Sequence, residues 1–512
     1  MLIDFEPKDK LKAGLDQVAN AVKLTIGPSG KNVATGRLIS NDGGTIAQSI
    51  TLKDHVEDIG AQIIKDVIKK TSDKVGGGRT ASAILTQAIV TEGLKQVKFG
   101  ANLNSLKKGM EEARLDITKN LEKNSKKVEN VLQLKQIATI STESEELGDV
   151  IGELVYKTGK DSIVTVEESQ GLGVQTEIVS GLKFERGWVS PYMVTNPERM
   201  EAELKDTAVL ITDKKISLYK DIYPLVQKIG QGKSLVVVAE DFDGDALHNS
   251  IVMKLKGVFN LVAIKAPVIG KYELLEDLAI SCGTKVVSDN SGVTFDSVEV
   301  GQAKKVIVSR ENTVIMGNGD IERHIASLKL QKENSENIGE QDKLERRIAS
   351  LAGGVAIIKV GAPTESELKY LKQKIEDGVN EAKRALEEGI VVGGDVSFIH
   401  AVKDLPLKSI ETEEGLGYNI VIKAVEAPFR QIVINAGGSP DVVLRDIENA
   451  SSEHEANDWG YDAKDRLIKR MFGFGIIDAL KVVRTVLENA ISGAGMFLSI
   501  EATITEDILD DK

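Results

Sequence analysis

Glycine-rich loops from both ends of the chain set the strongest constraint on how it folds. Two of them, IGPSG at residues 26–30 and VGGGRT at residues 75–80, interrupt helical patterns near the N-terminus. A third, VGGD at residues 392–395, follows more than three hundred residues later. Free N–H groups at a helix start behind such a loop can face an anion. If the loops form one pocket, the middle of the chain must leave a shared platform and return to it.

Composition narrows the class of protein. The 512 residues favour about three domains at ~150 residues each, and the net charge of −13 disfavours nucleic acid as a partner. The one cysteine, Cys282, excludes an internal disulfide framework and is expected to be buried. No apolar run approaches the ~18 residues of a membrane span, and residues 1–10 lack the apolar core of a signal peptide. We therefore expect a cytoplasmic protein with no membrane partner.

Hydrophobic spacing predicts helical ends and an α/β middle. Continuous apolar runs at 235–239 and 261–264 predict strands of a sheet that is covered on both faces. The charged segment 332–352 is predicted to form one helix, and the ND-GG sequence at 41–44 a tight loop. Apolar stripes predict helices at residues 9–26, 55–72, 80–98, 147–158 and 365–388. The pattern changes near residues 124, 181, 354 and 388, which indicates nested domains.

Seven short segments match one family pattern in the right order and at the right separations. They are AVKLTIGP (21–28), GAQIIK (60–65), TEGLK (91–95), KFERG (183–187), LAGGV (351–355), EEGIV (387–391) and EAPFRQIV (426–433). Over about residues 5–505 the chain resembles the bacterial-type (group I) chaperonins. The resemblance implies a multidomain α/β chaperonin fold, assembled as a seven-membered ring around a cavity.

The resemblance also implies a division of the chain into five segments. A mostly helical equatorial domain would comprise residues 1–123 and 388–512. A small α/β intermediate domain would comprise residues 124–180 and 355–387. An α/β apical domain at residues 181–354 would bind client proteins.

An ATP site is implied on the same basis. The nucleotide-binding residues would be Thr25, Gly27, Pro28, Asp42, Gly76, Gly77, Gly78, Arg79, Thr80, Gly393, Gly394, Asp462 and Asp478. Asp377 matches the catalytic carboxylate that polarises the attacking water. Taken alone, Asp42 is typical of turn chemistry and Asp377 of a solvated helix face. The complete set favours a nucleotide site.

The second glycine loop departs from the family sequence Gly-Asp-Gly-Thr-Thr-Thr. Gly77 replaces the aspartate that normally holds Mg²⁺, and Arg79 stands in place of a threonine. Asn41 replaces the usual lysine before the Asp-Gly turn. We hypothesise that Arg79 pairs with phosphate oxygens and partly replaces the charge of the metal, while Asp42 holds a weakly bound Mg²⁺. The contrary hypothesis is that hydrolysis is slow or lost.

Eight apolar or aromatic residues match the positions with which the family holds non-native proteins and its co-chaperonin lid. Two of them, Leu247 and Ile251, taken alone would indicate core packing at helical spacing. All eight together make capture of unfolded client proteins a safer inference than ATP turnover. The residues are Trp188, Tyr192, Met193, Ile222, Leu225, Leu247, Ile251 and Val252.

Contacts that usually join two rings back to back are altered here. Lys98 and Phe99 stand where small residues are usual, and Ser439 stands where an acidic residue is usual, although Arg430 matches. We therefore expect a single ring. The departures and the Lys-, Ile- and Asn-rich composition fit a viral or reduced-genome origin.

The sequence thus predicts a chaperonin in which ATP binding tilts the apical domain and withdraws its apolar mouth from the client. Two alternatives remain open at this stage. One is a ring-shaped holdase or scaffold without nucleotide turnover. The other is a nucleotide-dependent metabolic enzyme with a split α/β fold.

Overall fold

The computed structural model groups the chain into two compact units. It describes residues 2–35, 39–160, 163–169, 171, 173–179, 181–197, 200–230, 232–267, 270–295, 297–335, 337–352, 355–451 and 457–505. Unit 1 comprises Met1–Lys160 and Ala362–Lys512, and unit 2 comprises Asp161–Gly361. The finer division into five segments stays a prediction.

Helices dominate unit 1 and alternate with strands in unit 2. In chain order they are α1 (Lys8–Val22), α2 (Gly43–Ser49), α3 (His55–Val75), α4 (Arg79–Lys98), α5 (Leu103–Asn124), α6 (Val131–Thr142), α7 (Glu145–Thr158), α8 (Tyr219–Ile229), α9 (Gly244–Leu255), α10 (Lys271–Cys282), α11 (Ile321–Asn334), α12 (Ile338–Ala352), α13 (Glu365–Glu388), α14 (Val396–Val402), α15 (Glu413–Ala424), α16 (Ala427–Asn435), α17 (Pro440–Ser451) and α18 (Leu480–Leu498). Short 3₁₀ helices cover Lys23–Thr25 and Pro191–Met193.

The strands form several small sheets and one large sheet. In chain order they are β1 (Leu2–Asp4), β2 (Val33–Ala34), β3 (Ile39–Ser40), β4 (Ile163–Glu168), β5 (Gly173–Val179), β6 (Leu182–Phe184), β7 (Ala202–Ile211), β8 (Lys215–Ile216), β9 (Ser234–Ala239), β10 (Asp241–Phe242), β11 (Asn260–Lys265), β12 (Gly301–Val308), β13 (Thr313–Gly317), β14 (Val355–Gly361), β15 (Ile390–Val392), β16 (Trp459–Asp462), β17 (Leu467–Arg470), β18 (Ile477–Ala479) and β19 (Thr503–Thr505).

The two ends of the chain share the core of unit 1. The predicted stripe of α1, which includes Leu11 and Leu15, is fully buried. It belongs to the same hydrophobic cluster as Leu487 and Phe497 of α18. Strands β1 and β19 pair antiparallel from Leu2–Thr505 to Asp4–Thr503. The two ends of the chain therefore form one folded unit. This is the arrangement needed if glycine loops from both ends are to form one pocket.

A three-helix layer of α6, α7 and α13 packs within unit 1. Helix α13 starts at the cap residue Thr364, whose side chain accepts a hydrogen bond from the Glu367 N–H, and ends before Gly389 at φ +97°. Its inward residues Ile375 and Val379 are buried, as the amphipathic pattern predicts. Ion pairs Lys481–Glu387 (2.6 Å) and Arg484–Glu388 (2.7 Å) join its C-terminal turn to α18.

Unit 2 is built on a six-stranded mixed sheet with the order β11-β9-β7-β12-β13-β6. Strand β11, at one edge of this sheet, pairs parallel with β9, and the apolar residues of both strands are almost completely buried. This confirms the two predicted strands of a sheet covered on both faces. A separate three-stranded sheet has the order β4-β14-β5. Cys282 is buried as expected, and burial raises the pKa of its thiol to about 12.

Several local predictions differ from the structure. The loop predicted at residues 41–44 is a helix start, because Asp42 caps α2 by accepting a hydrogen bond from the Thr45 N–H (2.6 Å). The helix predicted over 332–352 is two helices, α11 and α12, which separate at Ser335. Helix α6 was not predicted. Residues 353–354, within the family match at 351–355, and residues 506–512, at the end of the predicted equatorial segment, lie outside the described residues.

Within the described parts, none of the helices combines the length and the hydropathy that crossing a bilayer demands.

Candidate functional site

Arg79, the first residue of α4, joins two carboxylates that lie far apart in the sequence. Its guanidinium donates to Asp377 through Nη1 (2.8 Å) and Nη2 (2.6 Å). Nη1 also donates to Asp42 Oδ1 (2.9 Å), and Nε donates to Ser72 Oγ (2.8 Å). The three charged side chains are only 13–14% exposed. The predicted residues Asp42, Arg79 and Asp377 therefore meet at one point.

The charges of this cluster depend on each other. Burial alone would lower the pKa of Arg79, but Asp377 and Asp42 outweigh it and raise that pKa. Burial would raise the pKa of Asp42, yet Arg79 and the Thr45 N–H bring it below its usual value. For Asp377 burial prevails over Arg79, so its pKa is raised. Arg79 thus stays charged, and Asp377 is the more basic of its two partners.

The start of α4 has no side-chain cap. Its cap residue, Gly78, lies in the left-handed region (φ +74°, ψ +10°) and provides no side-chain hydrogen bond to the first N–H groups. Unpaired N–H groups at a helix N-terminus favour phosphate. Thr80 Oγ1 lies 3.2 Å from Thr25 Oγ1, so the second glycine loop meets the end of the first helical segment.

The first glycine loop is fixed from the C-terminal half of the chain. Gly27 has φ +80°, and a Cβ added there would lie 3.1 Å from Ile432 of α16. Asn435 donates to the carbonyl oxygens of Lys23 and Ile26, each at 3.0 Å. The loop that contains Gly27 and Pro28 therefore has a defined position in unit 1, next to α16.

The glycine doublet of residues 393–394 is held by Asp478. Asp478 Oδ2 accepts from the Gly394 N–H (3.0 Å), and the Asp395 N–H also donates to this carboxylate. Burial raises the pKa of Asp478 to about 6 despite these donors. Burial, with the nearby charge of Asp478, raises the pKa of Asp395 to about 7. Asp395 was not among the predicted site residues. Its backbone lies in the left-handed region (φ +59°), which Asp tolerates better than most residues other than glycine.

Asp462 stands apart from this arrangement in its described contacts. Its carboxylate accepts from Lys469 Nζ (2.7 Å) and from the backbone N–H groups of Lys464 (2.9 Å) and Asp465 (3.3 Å). These bonds stabilise the turn between β16 and β17. Its assignment to the base side of a nucleotide stays a prediction.

A second residue that the sequence did not reveal is Glu381 of α13. It lies one turn after Asp377 and shares a hydrogen bond with Ser141. Burial, with the charges of Asp478 and Asp377, raises its pKa to about 8. On sequence alone Glu381 is one of several charged residues on a surface helix, so only its position reveals it.

The described residues hold no group of three or more His, Cys, Asp or Glu side chains placed to bind a metal ion by themselves. This is compatible with Mg²⁺, which proteins often bind through one or two carboxylates together with the phosphates of a substrate. Oxygen donors are present at Asp42 and Glu381. Asp42 is the carboxylate to which the sequence analysis assigned such a metal.

The eight residues predicted to bind clients divide into two groups in unit 2. Tyr192 is 64% exposed, and Trp188, Leu247, Ile251 and Val252 are partly exposed. Met193, Ile222 and Leu225 are instead buried, with exposures of 1%, 0% and 2%.

The cause of this difference is the helical spacing of α8. Ile222, Leu225 and Val226 follow at i, i+3 and i+4 and face the core, whereas Tyr223 is 45% exposed on the other side. Other exposed apolar residues near these helices are Leu218 (47%) and Leu255 (69%). In this conformation the accessible apolar surface includes residues that the sequence did not single out.

Comparison with known proteins decides the family. The model of the TCP-1/cpn60 chaperonin family matches residues 18–507. This chain belongs to the TCP-1/cpn60 chaperonin family. Its fold is similar to that of the chaperonin gp146 from the bacteriophage EL 2 (Pseudomonas aeruginosa), determined in the presence of ATP-BeFx.

The likeness to gp146 extends over nearly all of both chains. One crystal form matches with a TM-score of 0.66 and 21% identity over 99% of this chain and 100% of the other. A second crystal form gives a TM-score of 0.63 and 21% identity over 99% of each chain. The chaperonin fold predicted from the sequence is confirmed. The family match favours a chaperonin over a metabolic enzyme with a split α/β fold.

Proposed function

We propose that this chaperonin binds ATP in unit 1 and uses it to change its hold on non-native proteins. The convergence of Arg79, Asp42 and Asp377 on one point carries the proposal, since these residues come from the second glycine loop, the start of α2 and the middle of α13. The uncapped start of α4 and the Thr25–Thr80 contact support a phosphate position beside them.

Each residue of the site has a role in this proposal. The N–H groups at the start of α4 and the Arg79 guanidinium bind phosphate oxygens. The glycine doublet, fixed by Asp478, lies against the sugar. Asp377 accepts a proton from the attacking water, for which its raised pKa suits it. Mg²⁺, when bound through Asp42, neutralises phosphate charge.

Nucleotide binding and the release of Asp377 are coupled in this arrangement. Phosphate oxygens and the Asp377 carboxylate compete for the same N–H donors of Arg79. When phosphate takes those donors, Asp377 loses a positive partner, and the pKa of its carboxyl rises further. Helix α13 begins at Glu365, directly after the chain leaves unit 2 at Gly361. A shift of α13 is therefore connected covalently to the client-binding unit.

Unfolded proteins are the proposed substrates, held by the exposed apolar residues around α8 and α9. Tyr192, Tyr223 and Leu255 supply the accessible part of this surface. Burying client surface contributes roughly 25 cal/mol per Å² without directional requirements, which suits varied clients. A co-chaperonin lid is the second proposed partner of the same surface.

We propose a single ring of seven copies as the assembled state. The two-stranded sheet β1–β19 leaves Ile3 (56%) and Ile504 (64%) exposed, and an isolated two-stranded sheet is marginally stable in water. Pairing with another copy would cover it. Arg430 already pairs with Glu426 (2.8 Å) and Asp441 (2.7 Å) in its own chain, which supports the loss of a second-ring contact. A cytoplasmic location, in the host if the gene is viral, accompanies this proposal.

The experiment that tests the nucleotide site measures binding and turnover separately. A fluorescent ATP analogue is titrated with and without EDTA, and phosphate release is followed in the wild type and in Asp377→Asn. We expect binding in both proteins and a turnover lower by on the order of 10²-fold in the variant. The exposed Asp73→Asn on α3 serves as the control.

The outcomes distinguish the open alternatives. Turnover abolished by EDTA would defeat the hypothesis that Arg79 replaces the metal. Binding without turnover would favour slow or lost hydrolysis. Absence of nucleotide binding, together with equal suppression of aggregation with and without ATP, would favour the holdase.

A further inference from the structure

The space beside Gly77 that a side chain at this position would fill is occupied by the side chain of Glu381. A Cβ added at Gly77 would lie 1.8 Å from Glu381 Oε1 and 2.8 Å from the carboxyl carbon. Atoms that are not bonded to each other do not approach so closely, so any residue larger than glycine at position 77 would have to displace the Glu381 side chain. The carboxylate of Glu381 thus occupies the space that a side chain at position 77 would enter.

Backbone conformation does not explain the glycine at this position. Gly76 and Gly78 have φ values of +84° and +74°, a region that L-residues rarely adopt. Gly77 is not among the residues with positive φ. A side chain at position 77 would instead meet the end of the Glu381 side chain, which would have to move to admit it.

Glu381 is directed to the same place as the rest of the site. It follows Asp377 by four residues on α13, so both carboxylates lie on one face of the helix. Its pKa responds to the charges of Asp478, Asp377 and Arg79, which links it to the glycine doublet and to the second glycine loop. Its described hydrogen-bond partner, Ser141, is neutral.

The family resemblance places a metal-binding aspartate at position 77, and this chain has lost it. We propose that Glu381 supplies the missing carboxylate from α13 and binds the Mg²⁺ that accompanies ATP. The carboxylate has moved from the loop to the facing helix while its location in space is kept. This inference rests on the proposed nucleotide site and adds a residue to it.

The test exchanges the carboxylate between the two positions. Four proteins are compared: the wild type, Glu381→Ala, Gly77→Asp, and the double variant Gly77→Asp/Glu381→Ala. Each is saturated with ADP, and Mn²⁺ is titrated as the metal probe and followed by electron paramagnetic resonance. The affinity of the fluorescent ATP analogue in Mg²⁺ and in EDTA gives a second readout without turnover. Glu367→Ala, an exposed position in the first turn of α13, is the matched control.

We expect Glu381→Ala to weaken Mn²⁺ binding by on the order of 10- to 100-fold and to reduce the effect of EDTA on nucleotide affinity. Gly77→Asp alone should lower the melting temperature, because its side chain collides with Glu381. The double variant should regain most of the lost Mn²⁺ affinity, since the collision is relieved and a carboxylate is restored.

Two results would overturn the proposal. One is unchanged Mn²⁺ affinity in Glu381→Ala, and the other is a double variant that binds Mn²⁺ no better than Glu381→Ala. If Glu381→Ala does not fold, Glu381→Gln, which preserves shape and removes the charge, is subject to the same criterion. A wild-type protein that binds no nucleotide would refute the nucleotide site itself, which is distinguishable from a protein that binds nucleotide without needing Glu381.

Discussion

Arg79 and Asp377 form a two-pronged ion pair, with N–O distances of 2.8 and 2.6 Å, that joins the start of α4 to α13. Paired donors and acceptors of this kind fix orientation as well as distance. In this structure the residue proposed to bind phosphate holds the residue proposed to activate water. ATP and Asp377 therefore compete for one guanidinium.

Replacing Arg79 should destabilise unit 1. In Arg79→Ala the poorly exposed carboxylates of Asp42 and Asp377 lose their shared cation, which we expect to cost ~2–4 kcal/mol. Arg79→Lys should lose less, because it keeps the charge but not the planar fork. The midpoint of urea unfolding measures both.

A double-mutant cycle gives the control for this prediction. The combined change Arg79→Ala/Asp377→Ala should cost less than the sum of the single changes, because the uncompensated Asp377 charge is removed. Arg323→Ala breaks an exposed pair with Asp320 (3.0 Å) and should cost under ~0.5 kcal/mol. An Arg79→Ala protein as stable as the wild type would contradict the prediction.

Asp395 should make stability depend on pH. Its pKa is about 7 in the folded chain against 3.8 ordinarily, so the folded state holds the proton more tightly. The stabilisation is complete below about pH 4 and is lost as pH rises toward 7. Asp395→Asn does not titrate, so its stability relative to the wild type should increase by on the order of 4 kcal/mol between pH 4 and 7 and stay constant above.

Urea unfolding of the wild type and Asp395→Asn at several pH values tests this sign. Asparagine also tolerates the left-handed backbone at this position, so the change isolates the charge. Asp404→Asn, an exposed change just after the same helix, is the matched control. A difference that is independent of pH would show that Asp395 does not titrate as proposed.

Client capture should depend on the exposed residues Tyr192 and Tyr223 rather than on the buried face of α8. We expect Tyr223→Ser combined with Tyr192→Ser to weaken suppression of client aggregation at least several-fold with little effect on melting. Leu330→Ser, at a 60% exposed site on α11, is the control. Light scattering of a denatured model substrate provides the measurement.

Ile222→Ser should affect stability, unlike the tyrosine variant and the Leu330→Ser control. Because Ile222 is 0% exposed, this change should lower the melting temperature of unit 2 itself. Equal loss of capture in Leu330→Ser and in the tyrosine variant would indicate that the surface is not localised to α8 and α9.

The assembled mass tests the proposed single ring. Seven copies of 55.3 kDa give about 387 kDa, and mass photometry should show this species with and without ATP. Deleting residues 2–5 should shift the population toward monomers, because β1 is removed from the exposed sheet. A species of fourteen subunits would refute the single ring.

The parts of the fold that depend on local pattern were predictable. The stripe of α1, the length of α13 and the strands β9 and β11 follow from apolar spacing, since each element buries the residues that its period brings together. The break between α11 and α12 and the helical start at Asp42 were missed. In both places short polar segments are compatible with more than one local structure.

The residues that meet around Arg79 were named from the sequence, but their contacts were not. Thr25, Asp42, Arg79 and Asp377 were identified from the loops and the resemblance, yet their meeting depends on how helices from both ends pack. Glu381 had no sequence signal of its own, because its meaning comes from the missing side chain of Gly77. Ile222 was placed on the client-binding surface by its match to the family pattern, whereas the spacing of α8 turns it toward the core.

The pairing of β1 with β19 has a consequence for synthesis on the ribosome. Unit 2 has its complete set of residues once Gly361 has left the exit tunnel, whereas the platform lacks its last strand until Thr505 emerges. Domains usually fold as they are translated, beginning from the N-terminus. In this protein unit 2 can finish folding first. The N-terminal helices of unit 1 cannot complete their packing until the C-terminal segment has been synthesised.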